Sequence, residues 1–183
     1  MLPLAFKLEN KPVLVIGAGR IGTGKAQLLI DAGARVTILS RSFLVPLPGN
    51  VYSVVERDYQ PGDLCGYALI VAATGDPVVN DDIVNESHEL GLWINVVDDP
   101  ARSDYYFTAV HRDGEVVVSV STEGAAPALA QEIRSLIRRQ LPRHLGDVAR
   151  QLRHERAALH ESGESTEGVD WKPRIRELLS RRN

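Results

Sequence analysis

Cysteine, aromatic residues and long apolar runs are all scarce in this chain of 183 residues. Its one cysteine, Cys65, excludes an internal disulfide and a cluster of thiolate metal ligands. Aromatic residues make up 5% of the sequence, and none lies within residues 131–160, where arginine is concentrated. Base-stacking sites for nucleic acid are therefore not expected there. No apolar run approaches the ~20 residues of a membrane span.

The start of the chain is likewise unlike a targeting segment. Residues 1–7 are too short an apolar stretch, and turn polar too soon, for a signal peptide. The five histidines show no metal-ligand spacing, so we expect no metal site. We expect a cytoplasmic protein with neither a membrane nor a nucleic acid as partner, whose length suits one ordinary domain plus an appendage.

A glycine pattern early in the chain is the strongest functional signal. The apolar run Val13–Ile16 ends directly in Gly17-Ala-Gly19-Arg-Ile-Gly22, and a helical pattern and a second strand pattern follow. This order is typical of a βαβ unit that binds a dinucleotide. Gly17 permits a tight turn, Gly19 lets the backbone approach a pyrophosphate, and Gly22 allows close packing of helix on strand. The N–H groups at the start of the helix would face the phosphates.

The end of the second predicted strand departs from the usual NAD site. An NAD-binding domain usually has Asp or Glu there to hold the ribose hydroxyls, whereas this chain has Ser40-Arg41-Ser42. Two explanations stay open. Either Arg41 contacts the 2′-phosphate of NADP, or the ribose is held by other groups.

Two later predicted strands end in residues suited to a ligand crevice. The strand predicted over 67–73 leads into Thr74, and the strand predicted over 92–97 leads into Asp98. Carboxyl ends of parallel strands line the crevice of such sheets, so we expect Thr74 beside the cofactor and Asp98 facing the crevice. Asp98 is the candidate for taking or steering a proton. Its alternative role is a cap or loop hydrogen bond.

The second half of the chain leaves the βαβ rhythm. Strand patterns over 105–111 and 115–121 flank an Asp-Gly turn signal, which predicts an antiparallel hairpin. Helical patterns follow, and their region, 131–160, holds seven arginines against three acidic residues. Arginine suits bidentate recognition of carboxylates or phosphates, while a solvated helix face is the open alternative.

Several segments, in their order and spacing, carry a resemblance to a known family. The most specific are Asn95-Val-Val-Asp98, the hairpin, and Gly124-x-x-Pro127-Ala-Leu-Ala130. Further matching segments are Leu4-x-Phe6-Lys-Leu8, the glycine pattern with Lys25, Asp31-Ala-Gly-Ala34, Ala72-Ala-Thr74, Tyr106-Phe-x-Ala-Val110 and Val118-Ser-Val-Ser121. Over most of residues 1–152 the chain resembles the precorrin-2 dehydrogenase family, the N-terminal module of siroheme synthases.

The resemblance implies NAD-dependent oxidation of precorrin-2 to sirohydrochlorin by a homodimer. It favours NAD over NADP, because the family also lacks the acidic residue after the second strand. Asp98 corresponds to the aspartate held to be catalytic. The positions that correspond to cofactor contacts are Arg20, Ile21, Arg41 and Ser42. The substrate carries eight carboxylates, which would give arginines such as Arg138 and Arg139 a binding role.

Two departures from the family limit what carries over. Ala126 stands where the family often has serine, so no hydroxyl role is expected there. No methyltransferase segment follows within the sequence, so we expect another protein to methylate the substrate.

The expected fold class is α/β with a mostly parallel, Rossmann-like sheet. The expected segments are an NAD-binding domain over 1–104, a β-hairpin dimerisation region over 105–126 and a helical region over 127–183. Two other functions stay open. One adds ferrochelation in the same cavity, and the other is an NAD-sensing regulatory domain like those that gate ion transporters.

Overall fold

The computed structural model describes residues 2–180. Residues 1 and 181–183, which belong to the first and third predicted segments, lie outside the described residues. Contacts between residues divide the chain into two compact units, Met1–Tyr106 and Phe107–Asn183.

In the first unit, residues 2–106 form a five-stranded parallel sheet with two α-helices and a short 3₁₀-helix at Pro100–Arg102. Its strands lie in the order β3-β2-β1-β4-β5. The strands are β1 (Pro12–Ile16), β2 (Arg35–Ser40), β3 (Ser53–Glu56), β4 (Leu69–Ala72) and β5 (Trp93–Val96), and the helices are α1 (Arg20–Asp31) and α2 (Pro77–Glu89). Strand order reverses beside β1, so the ligand crevice of such a sheet is expected at the carboxyl ends of β1 and β4.

The core of this unit lies around the central strands. β1 and β4 are continuous apolar runs because helices cover both faces of a parallel sheet. Leu14, Ile70 and Ile94 are each at most 1% exposed. Burying one such side chain contributes about 1.5–3 kcal/mol relative to leaving it exposed, so the core fixes the strand ends that form the crevice.

The helix after β4 carries a local signal for a helix start in its own sequence, Asp76-Pro77. The carboxylate of Asp76 accepts hydrogen bonds from the backbone N–H groups of Val78 and Val79, and Pro77 occupies the first helical position. Both features favour a helix start. α2 therefore begins immediately beside the carboxyl end of β4.

The second unit combines a hairpin with three helices. The hairpin pairs β6 (Ala109–Asp113) with β7 (Val116–Val120). The helices are α3 (Pro127–Gln140), α4 (Leu145–Glu161) and α5 (Lys172–Ser180). α3 packs against both strands of the hairpin. The predicted α/β class, with a small antiparallel pair and a helical C-terminal part, is confirmed.

The hairpin starts later than its sequence pattern suggests. The predicted strand begins at Tyr105, but that residue belongs to the first unit, where its hydroxyl donates to the backbone oxygen of Ile70 at 3.0 Å. Its own backbone oxygen accepts from Asn95 Nδ2 at 2.9 Å. The turn is also shifted, because Asp113 pairs with Val116 inside the ladder. Gly114, at φ 56°, supplies the left-handed conformation that the two-residue loop requires.

Candidate active site

A cleft of about 520 Å³ lies at the carboxyl ends of the strands in the first unit. It falls within the 300–1,000 Å³ range usual for small-molecule sites. The residues that line it come from the loops after β1, β2, β4 and β5 and from the first turns of α1 and α2. They include Gly17, Ala18, Gly19, Arg20, Ile21, Gly22, Arg41, Ser42, Thr74, Asn80, Val97 and Asp98. The structure thus brings together every predicted cofactor residue and Asp98.

The three glycines of the loop after β1 have different surroundings. A Cβ on Gly17 would lie 2.2 Å from the backbone oxygen of Ala73, and one on Gly22 would lie 2.0 Å from that of Gly17. Both positions therefore exclude any side chain. A Cβ on Gly19 would meet nothing within 4 Å. Because Gly19 precedes α1 and faces the open cleft, it leaves room for a phosphate group against the backbone.

The start of α1 suits an anion. Gly19 precedes the helix, and the first turn carries no acidic side chain. The free N–H groups and the positive end of the helix dipole favour negative charge at this point. The residues present therefore fit the pyrophosphate of a dinucleotide. Ile21, 43% exposed, adds an apolar side chain to the cleft wall.

Ser40 organises the loop where an acidic residue would usually bind ribose. Its hydroxyl accepts a hydrogen bond from the backbone N–H of Ala18 at 3.2 Å and donates to the backbone oxygen of Ser42 at 2.8 Å. The glycine loop and the loop after β2 are thereby joined. Arg41 and Ser42 are exposed and line the cleft.

A smaller recess of about 130 Å³ adjoins the cleft on the β2 side and shares Ser40, Arg41 and Thr74 with it. Arg57 and Tyr59, which follow β3, line the recess. The Arg57 guanidinium forms two hydrogen bonds of 2.6 Å to Asp63, which lower the pKa of that carboxyl. No sequence motif marks the residues after β3, so this recess could not be predicted from the sequence.

Asp98 occupies a constrained loop directly after β5. Its backbone lies in the left-handed region at φ 61°, which is uncommon for a residue other than glycine. The next residue, Asp99, accepts hydrogen bonds from the N–H of Arg102 at 3.2 Å and from its Nε at 2.6 Å. Arg102 also pairs with Asp81 on α2. The loop is therefore held to the helix beside the cleft.

The segment after Asp98 runs back along β5 and covers its outer edge. Ser103 Oγ accepts from the N–H of Val96 at 2.9 Å. Asp104 Oδ2 accepts from the N–H of Ile94 at 3.0 Å, and the Asp104 N–H donates to the Ile94 oxygen at 2.8 Å. Asp104 is thus bound to the backbone of β5.

Lys25 on α1 is half-buried, and it interacts electrostatically with Asp98. Burial lowers the pKa of the Lys25 ammonium, and the negative charge of Asp98 opposes that shift. In the sequence, Lys25 is marked only by the family resemblance. Its relation to Asp98 depends on the fold, because α1 and the loop after β5 are distant in the chain.

The other predicted residues lie elsewhere. Arg138 and Arg139 are exposed on α3 in the second unit, and Arg139 pairs with Glu132 at 3.5 Å. Across residues 2–180, no three His, Cys, Asp or Glu side chains are grouped so that they could hold a metal ion. In the same part of the chain, none of the helices has the length and apolarity to cross a membrane.

Comparison with known proteins assigns the chain to a family. A family model described as NAD(P)-binding matches residues 4–109, more than half of the chain. The chain belongs to this NAD(P)-binding family. The predicted nicotinamide dinucleotide cofactor is confirmed at the level of the family.

Curated relatives of this member of the family are siroheme synthases. Siroheme synthase 2 of Aeromonas salmonicida is 40% identical over 150 residues, which are 80% of this chain and 31% of that protein. The siroheme synthase of Ectopseudomonas mendocina is 42% identical over 151 residues, which are 81% of this chain and 32% of that protein. The chain spans about a third of the length of the curated relatives it matches.

Among solved structures, the chain is similar to SirC, a precorrin-2 dehydrogenase. The TM-score is 0.70 at 22% sequence identity, over 98% of this chain and 88% of SirC. This likeness supports the fold assignment. Together with the family match and the relatives, it confirms the resemblance that the sequence segments indicated.

Proposed function

We propose that this chain binds NAD and oxidises precorrin-2 to sirohydrochlorin in siroheme biosynthesis. The observation that carries the proposal is the position of Asp98, a carboxylate at the end of β5 in the same cleft as the glycine loop. Siroheme synthases among the relatives and the likeness to SirC support the choice of pathway.

The chemistry required is the removal of two hydrogens from the tetrapyrrole, one as a hydride and one as a proton. When bound, NAD supplies the hydride acceptor. Asp98 takes the proton, since its side chain lines the cleft and its backbone is fixed by the loop. A positioned carboxylate of this kind contributes about 10²–10⁴-fold to a rate.

The cofactor would be held by the loops at the strand ends. Gly17, Gly19 and Gly22 shape the place of the pyrophosphate at the start of α1. On the β2 side, Arg41 and Ser42 hold the adenosine ribose. The remaining proposed contacts are Arg20, Ile21 and Thr74.

The hairpin is proposed to form a homodimer. α3 packs against both strands of the hairpin, but the hairpin still exposes the apolar side chains of Val110 (41%) and Val117 (44%), which a second copy of the chain would cover. We expect Val117→Lys to shift the protein from dimer to monomer in sedimentation experiments. Val54→Lys, at a 43% exposed position on β3, is the matched control and should leave the dimer intact. Equal behaviour of both variants would contradict the assignment.

The experiment that tests the activity is anaerobic incubation of the protein with precorrin-2 and NAD, followed by absorbance. We expect sirohydrochlorin and reduced cofactor to appear in equal amounts. Formation of neither, with NAD binding demonstrated by calorimetry, would refute the dehydrogenase and leave a nucleotide-binding module.

A further inference from the structure

Asn80 is a buried polar side chain in the cleft that the glycine pattern does not reveal. It lies in the first turn of α2, is 8% exposed and lines the cleft together with Thr74 and Asp98. Buried side-chain amides in proteins nearly always have hydrogen-bond partners. The partners of Asn80 therefore indicate what the cleft is built to hold.

One end of the Asn80 amide is fixed by Thr74. The Thr74 hydroxyl accepts a hydrogen bond from the N–H of Asp76 at 3.1 Å and donates to Asn80 Oδ1 at 2.7 Å. In this arrangement the Thr74 hydroxyl is the donor and the Asn80 amide oxygen is the acceptor. Asn80 Oδ1 is turned towards Thr74, and Nδ2 is turned away from it.

The other end of the amide carries two unused donors. Among residues 2–180, Nδ2 of Asn80 forms no hydrogen bond, and it is not among the buried side-chain atoms that lack a partner, so it is accessible from the cleft that Asn80 lines. A ligand with acceptor oxygens in the cleft could therefore accept a hydrogen bond from this amide.

The topology indicates which part of the ligand reaches Asn80. In such sheets the residue after β2 lies at the adenosine ribose, and the pyrophosphate lies at the helix after β1. The rest of the dinucleotide must then extend over β4 and β5. Asn80 borders that side, because it shares the cleft with Val97 and Asp98 but does not line the recess beside Arg57.

We propose that Asn80 Nδ2 donates a hydrogen bond to a hydroxyl oxygen of the nicotinamide-side ribose. This contact would fix that ribose between Thr74 and Asp98, and so place the nicotinamide ring against the substrate. The proposal rests on the NAD site proposed above and adds a specific positioning contact to it.

The test measures the affinities of Asn80→Leu for NAD, ADP-ribose and ADP by calorimetry. Leucine has a similar size and no donor, and the Thr74 hydroxyl can turn to the backbone oxygen of Asp76, 3.2 Å away. We expect NAD and ADP-ribose to bind about three- to tenfold more weakly, the usual effect of one hydrogen bond. ADP, which lacks the second ribose, should bind as in the parent protein.

Two further variants keep the result interpretable. Asn85→Leu makes the same change at an exposed position of α2 and should alter none of the three affinities. If Asn80→Leu does not fold, Asn80→Asp is the substitute, because it keeps an acceptor for Thr74. Its affinity for ADP-ribose should then fall more than its affinity for ADP, and the difference measures the missing donor.

The outcomes separate this inference from the proposed function. A parent protein that binds no NAD would refute the NAD site itself. With NAD bound by the parent, equal weakening of all three ligands, weakening of NAD alone, or no change would each overturn the ribose contact of Asn80.

Discussion

Arg102 donates a hydrogen bond of 2.6 Å from Nε to Oδ2 of Asp99, the residue directly after Asp98. The same guanidinium pairs with Asp81 on α2. The Arg102 side chain thus closes the loop after β5 through Asp99, and it joins the same loop to α2 through Asp81. Because Asp98 sits in this loop at φ 61°, we infer that Arg102 is a positioning residue for Asp98.

Arg102→Gln is expected to lower kcat for precorrin-2 oxidation while leaving NAD affinity within about twofold. A misplacement of about 1 Å in a catalytic group can cost as much as 10²-fold, so a loss of about tenfold or more is expected. The control is Arg35→Gln, the same change at the exposed start of β2, at the opposite end of the sheet. Unchanged kcat in Arg102→Gln would contradict the positioning role.

A titration of Asp99 gives the structural readout for the same variant. The hydrogen bond from Arg102 lowers the pKa of the Asp99 carboxyl. Because the pKa is lowered in the folded state, this interaction stabilises the protein at pH values above the unfolded-state pKa of Asp, about 3.9. The stabilisation is lost as the pH falls through the folded pKa. In Arg102→Gln, NMR should show the pKa of Asp99 closer to its ordinary value.

The glycines of the loop after β1 should separate binding from folding. Gly19→Val places a side chain in open space in the cleft, so NAD affinity should fall in calorimetry while circular dichroism stays near normal. Gly22→Ala places a Cβ 2.0 Å from the oxygen of Gly17. Overpacking of this kind typically costs about 1–3 kcal/mol, so its melting temperature should fall. Unchanged NAD affinity in Gly19→Val, with a lowered melting temperature instead, would contradict the assignment of the pyrophosphate site.

Most of the fold could be predicted from the sequence because its signals are local. The run Pro12–Ile16, the glycine pattern and the Asp76-Pro77 cap each report on a few adjacent residues, and they mark β1, α1 and α2 correctly. The hairpin start was wrong by several residues. Tyr105 has the composition of a strand residue, but its hydroxyl is bound to Ile70, 35 positions earlier.

Residues of the candidate site could be predicted only where they belong to a sequence motif or directly follow a predicted strand. Asp98 and Thr74 follow strands, so their place at the sheet edge could be inferred. Asn80 and Arg102 lie on or beside helical segments, and their importance depends on partners that the fold brings close. Only Asn80 had a signal in the sequence, because it is a polar residue one helical turn after Asp76 and faces the predicted strand ends.

The cofactor preference can be tested at Arg41. We expect NAD to be preferred to NADP, from the family resemblance and against the local arginine. Ser40 is bound to Ala18 and Ser42, so an exposed Arg41 is the cation at this strand end that a 2′-phosphate would meet. Specificity constants for the two cofactors decide the matter. A tenfold advantage for NADP, worth about 1.4 kcal/mol, would show that Arg41 binds the phosphate.

Arg138 and Arg139 should matter for the substrate and not for the cofactor. Changing both to Gln is expected to raise the Michaelis constant for the tetrapyrrole, with a larger effect at low salt because exposed charges are then less screened. NAD affinity should not change. Arg176→Gln, at an exposed position on α5, serves as the control. Identical kinetics at every ionic strength would make the pair a solvated helix face.

Asp98 is the residue on which the proposed chemistry depends. Asp98→Asn keeps the shape of the side chain but cannot take a proton, and general base help is worth about 10²–10⁴-fold. We therefore expect at least a ~10²-fold loss of dehydrogenation, with NAD binding and dimerisation retained. The comparison variant is Asp99→Asn, which keeps an oxygen to accept the N–H of Arg102 but weakens the bond from Arg102 Nε, so it should lose about as much as Arg102→Gln and clearly less than Asp98→Asn. If Asp98→Asn still oxidises precorrin-2 within a few-fold of the parent rate, Asp98 is a structural loop residue, and the proton leaves to water.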